Sequence, residues 1–159
     1  MYVHIDLDGP AGTLRVSGHG LPTVELRRDP GAATDRLVPI GTRDPARLTL
    51  TVAGEPALVR PAKGRLSRRS YRVDAVLTGT RSETRYRLVP CSYGESRLSR
   101  DGRPLGTLES AGDGRVDADW TCGVTPRDQA VGTALAAAFG TGAQPWWQTA
   151  ADIVAELIP

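Results

Sequence analysis

The chain is poor in the large residues that usually fill a core. Its 159 residues include one Phe, one Met, three Trp and four Tyr. Val, Leu and Ala must supply most of the buried volume, although the hydrophobic fraction of 40% is ordinary for a globular protein. Two cysteines, Cys91 and Cys122, form no Cys-x-x-Cys pair and are too few for a disulfide framework. No apolar run reaches the ~18 residues that a membrane-spanning helix needs. The segment Met1-Tyr2-Val3-His4-Ile5-Asp6 lacks the basic and apolar regions of a signal peptide. The expected location is therefore the cytoplasm, with both thiols reduced. Lysine is nearly missing: Lys63 stands alone beside nineteen Arg. Arg grips phosphate bidentately, but a net charge of +2 weighs against nucleic acid as a partner. With abundant Ala, Gly, Pro, Asp and Val, the Arg bias matches the codon usage of a GC-rich, actinobacterial-type genome.

What is present reads as a single domain spanning 1–159. Short runs of period-two alternation fill about 2–120. Val3, Ile5 and Leu7 face one way and His4 and Asp6 the other. Leu14 and Val16, Val24 and Leu26, residues 48–52, 57–59, 69–77, 84–89, 97–100, 103–108 and 115–120 continue the pattern. Asp101-Gly102 between two such runs is the strongest hairpin signal, and residues 29–46 read as irregular. At Val124 the period changes. Thr125 can cap a helix, Pro126 suits its first position, and Asp128 takes the place of a capping-box Glu. Residues 126–139 then run apolar on every face, as expected of a buried helix. A second, amphipathic helix is expected over 145–158, with Trp146, Ala150, Ile153, Val154 and Leu157 as its stripe. The fold class is mainly β (α+β): an antiparallel barrel or highly curved sheet, with a buried apolar helix and a C-terminal amphipathic one. A faint echo relates Leu58-Val59-Arg60-Pro61 through Arg68 to Leu88-Val89-Pro90 through Arg100 and suggests two similar hairpin units.

Tyr86-Arg87-Leu88-Val89-Pro90 with Arg97-Leu98, the hairpin Arg100-Asp101-Gly102-Arg103-Pro104-Leu105-Gly106-Thr107, and the helix Ala130 to Phe139 follow one another in an order that resembles the tubby C-terminal-like fold. The likeness is to its smaller LURP-one-related form and covers roughly residues 48–140. It implies an antiparallel barrel threaded by a hydrophobic helix, and a binding or membrane-associated scaffold in place of an enzyme. The chain departs from that pattern in its Ala-rich helix and in the helix expected after it.

Candidate chemistry is sparse. His4, Asp6 and Asp8 share one strand face, but alternate residues lie about 6.5–7 Å apart, too far to converge on one metal ion. A solvated face is the expectation, and no cofactor is expected. Arg60, Lys63, Arg65, Arg68, Arg69 and Arg72 form the densest one-sign segment, a candidate surface for phosphate, lipid or other anions. The competing reading is a hairpin edge protected by charge. Cys91 would need a base to act as a nucleophile, and the only histidines, His4 and His19, are distant in sequence. Cys122 is expected to pack at the strand-to-helix turn. Trp146 and Trp147 could form a lid, or cover the seam between helix and strands. The leading expectation is a non-enzymatic scaffold that binds a protein partner or an apolar or anionic ligand. The alternatives are an anion-, lipid- or nucleic-acid-binding module built on 60–72, or an enzyme using Cys91 or the His4/Asp6/Asp8 face.

Overall fold

The computed structural model describes residues 2–62, 64, 68–92 and 94–142. The helix expected over 145–158, with Trp146 and Trp147, lies outside these residues, as do Lys63 and Arg65. Ten strands are described: β1 (Val3–Asp8), β2 (Thr13–Gly18), β3 (Val24–Arg28), β4 (Leu48–Val52), β5 (Glu55–Pro61), β6 (Val73–Thr78), β7 (Glu83–Ser92), β8 (Glu95–Arg100), β9 (Arg103–Ser110) and β10 (Val116–Trp120). Each pairs antiparallel with the next in one sheet, in sequence order. The Asp101-Gly102 turn carries positive φ at both residues, 48° and 81°, as a type I′ hairpin requires.

Alternation holds through most of the sheet, with a register shift between β8 and β9 that leaves the neighbours Leu105 and Gly106 both buried. Leu14 and Val16, Val24 and Leu26, Leu50 and Val52, Tyr86 and Leu88, and Leu98 with Leu108 are all buried on the inner face. The helix α1 (Pro126–Phe139) runs along that face and packs against β1, β2 and β3 as well as β7, β8, β9 and β10. Ten strands laid flat would span about 40 Å, while a helix is only about 10 Å across. Strands from both ends of the sheet reach one helix only because the sheet curves around it. From Ala130 to Phe139 every residue of α1 is buried, none more than 7% exposed. This settles the place of the helix: it is the core around which the sheet wraps.

The curvature stops short of a barrel. Among the described residues, β1 pairs only with β2, and β10 only with β9, so the barrel alternative gives way to an open, curved sheet. Two smaller expectations also change. The strand expected from residue 69 begins at Val73, and Tyr71 closes a short 3-10 turn, Arg68–Tyr71. The internal echo is therefore not a structural repeat, because Arg68 lies in that turn whereas its counterpart Arg100 ends β8. Residues 29–46 are irregular but not peripheral: Val38 and Ile40 are buried, and Ile40 N–H donates to the Ala138 carbonyl at 2.9 Å.

Candidate functional site at the mouth of the sheet

Asp128 is the fully buried carboxylate at the start of α1. Thr125 caps the helix, and the reciprocal box forms as expected: Asp128 N–H donates to Thr125 Oγ1 at 3.2 Å, and Thr125 N–H donates to the Asp128 carboxylate at 2.8 Å. The same carboxylate accepts from the Tyr86 hydroxyl at 2.8 Å and from Arg100 Nη1 at 2.6 and 2.8 Å. The alternation of β7 and β8 explains the meeting. Tyr86 is in phase with buried Leu88, and Arg100 with buried Leu98, so both point inward toward the helix. Burial alone would raise the pKa of Asp128. The Thr125 N–H, the Tyr86 and Thr125 hydrogen bonds and the Arg100 charge together outweigh it and hold the carboxyl below its ordinary value. Burial, then the Asp128 hydrogen bond and charge, raise the Tyr86 phenol. It stays protonated at neutral pH and is a donor, not a base.

Above this cluster lies a shallow, open depression of about 560 Å³, lined among others by Thr84, Tyr86, Arg100, Thr125 and Arg127. A second hollow of about 300 Å³ adjoins it, also lined by Thr84 and Arg127 and bringing in Arg81. Three guanidinium groups thus border the mouth. Asp101 and Glu55 sit on the two linings as well. Asp128 is committed to three donors, the Thr125 N–H, the Tyr86 hydroxyl and Arg100 Nη1, the last reaching both carboxylate oxygens.

At the opposite end of α1 two more Arg side chains turn inward. Arg28 is 9% exposed and donates to the carbonyls of Gly9, Ile40 and Pro10 at 3.0, 2.7 and 2.8 Å. It ties the β1–β2 turn to the 29–46 loop. Arg43 lies 5.5 and 5.6 Å from the ring centres of Tyr71 and Phe139, and its Nη2 donates to the Tyr71 carbonyl. Burial pushes its pKa down to about 10, against the pull of Tyr71 and Asp35. Its Nη1 is buried and has no hydrogen-bond partner.

The residues singled out from sequence are dispersed. His4, Asp6 and Asp8 are exposed on the outer face of β1. Among the described residues no group of three or more His, Cys, Asp or Glu is placed to hold a metal ion. Arg60 is exposed on β5 and in register with Asp74, which pairs with Arg72 at 3.4 Å and Arg87 at 2.6 Å. Arg68 and Arg69 belong to the 3-10 turn. Cys91 is exposed with its thiol 3.6 Å from the Glu95 carbonyl. Cys122 is exposed, not packed at the turn as expected, and both thiols are free. His19 is exposed in the β2–β3 turn. Sequence reasoning missed the Asp128–Tyr86–Arg100 cluster and both inward Arg residues. The usable signal was phase: Arg28 and Arg100 continue alternations whose other members are core residues.

No helix among the described residues is long and apolar enough to cross a membrane. No protein-family model, curated protein or solved structure matches the chain.

Proposed function

We propose that this chain is a non-enzymatic binding domain that recognises its ligand at the mouth beside the start of α1. One observation carries the reading: α1 fills the space inside the curved sheet, with Ala130 to Phe139 buried on all sides, so recognition falls to the outer surface. The mouth is a concavity on that surface, and Arg81, Arg100 and Arg127 suit it to a carboxylate or phosphate group. The arrangement of antiparallel strands around a buried helix supports the resemblance to the tubby C-terminal-like, LURP-one-related scaffolds, which carries the same non-enzymatic reading. Two exposed unpaired thiols support a cytoplasmic setting. Titration of the isotope-labelled chain with inorganic phosphate tests the site by amide chemical shifts. Saturable shifts at Thr84, Arg100, Thr125 and Arg127, abolished in Arg127→Gln, are the expected result. Shifts confined to residues 60–72 would move recognition to the basic segment. No saturable shift anywhere would remove the anionic ligand.

A further inference from the structure

β10 ends the sheet with one edge unpaired among the described residues. Its outward side chains are Asp117 and Asp119, both exposed. The register extends this acidity inward across the sheet: Asp117 stands opposite Glu109, and Glu109 opposite Glu95. Three carboxylates thus form one cross-strand row over β8, β9 and β10. Among the described residues none of the three, nor Asp119, takes part in an ion pair. Side chains in such a row lie about 4.5–5.5 Å apart at Cβ, and like charges directly opposite one another are destabilising. The other edge is different, since Asp6 on β1 faces Arg15.

Protection against edge-to-edge aggregation accounts for a charge on β10 itself. It does not account for Glu109 and Glu95, which sit on strands paired on both sides. The next position in the row is the open edge of β10. A strand added there would set its own side chain against Asp117. The inner face of β10 is also incomplete: Val116 and Trp120 are half-buried, and Ala118 is exposed although it pairs with the fully buried Leu108. An added strand would cover these residues with its alternate side chains.

We propose that the β10 edge docks an extended segment of a partner protein in which basic and apolar residues alternate. The basic residues meet Asp117 and Asp119, and the apolar ones extend the inner face past Val116, Ala118 and Trp120. A second copy of the chain is a poor occupant, because antiparallel pairing of two β10 strands about Ala118 sets Asp117 against Asp119. Residues 143–159 are also poor occupants: they contain Asp152 and Glu156 and neither Lys nor Arg. The proposal rests on the binding-domain reading but uses a different surface from the mouth.

The test uses the full, isotope-labelled chain and an end-blocked eight-residue peptide of alternating Lys and Val, with the Glu–Val peptide as control. Expected are shifts over residues 116–120, slower hydrogen exchange at alternate β10 amides, and weakening by salt. Asp117→Asn with Asp119→Asn is expected to weaken binding about tenfold; both positions are exposed, and thermal unfolding checks that the variant folds. Equal binding of the Glu–Val peptide, shifts elsewhere, or β10 amides already protected in the free chain would each overturn the proposal. Phosphate shifts at the mouth without peptide binding would defeat the β10 edge alone and leave the binding-domain reading standing.

Discussion

Asp128 shows how much one side chain can carry. It caps α1, fastens β7 through Tyr86 and β8 through Arg100, and is wholly buried. Removing one partner of a buried ion pair strands the other, so Asp128→Ala is expected to cost about 3–5 kcal/mol in urea unfolding. The pH dependence follows from the lowered pKa. The unfolded carboxyl titrates near its ordinary 3.8 and the folded one below it. The stability it contributes is fully present above about pH 4 and is lost as the pH falls through the folded value. Acid titration of stability should therefore be shallower in Asp128→Asn than in the parent. Ala53 makes the opposite case. It sits in the β4–β5 turn at φ 52°, ahead of Gly54 at 80°. A left-handed Ala costs roughly 1 kcal/mol, and Asn tolerates the position well. Ala53→Asn should raise stability by about 0.5–1 kcal/mol in the same unfolding measurement.

At the scale of elements, the shortage of large side chains finds its reason in α1. A sheet that wraps a helix from several sides leaves little room around it, and Ala at 130, 134, 136, 137 and 138 meets that limit. Gly132 marks the closest approach, since a Cβ there would lie 2.5 Å from Leu98 Cδ2. Leu135→Ala should lose about 2–5 kcal/mol by leaving a cavity. Ala136→Leu should lose about 1–3 kcal/mol by overpacking. Thermal unfolding of both variants checks the pair, and a neutral Ala136→Leu would contradict close packing. These elements were legible in the sequence to an unusual degree. Strand-like runs, several of them alternating and bounded by turn signals, marked the ten described strands, and the cap Thr125-Pro126 marked the start of α1. The losses came where tertiary context overrode local signal. Pro39 breaks the alternation around Val38 and Ile40, so their burial could not be read from spacing. Asp128 was legible as a cap, but its Tyr86 and Arg100 partners lie 42 and 28 positions away. Arg28 and Arg100 look like surface charges by type and like core positions by phase, and phase was the better guide.

The whole molecule is a meander in which each strand pairs with its sequence neighbour and α1 then fills the concave face. Sheet pairing is local, whereas the core is not. Val16, Val24 and Leu98 are buried on β2, β3 and β8, strands that all pack against α1, a segment beyond residue 125. During synthesis the strands therefore emerge as an unfilled trough before the residues that plug it exist. Domains fold as units as the chain is made, and this one has its decisive unit last. A chain cut after Trp120 keeps all ten described strands and should still fail to give a cooperative transition in circular dichroism. Adding a peptide of residues 121–142 should restore it. Late mutations in α1 would then act less by altering a finished protein than by prolonging the interval in which its inner face is open to other chains.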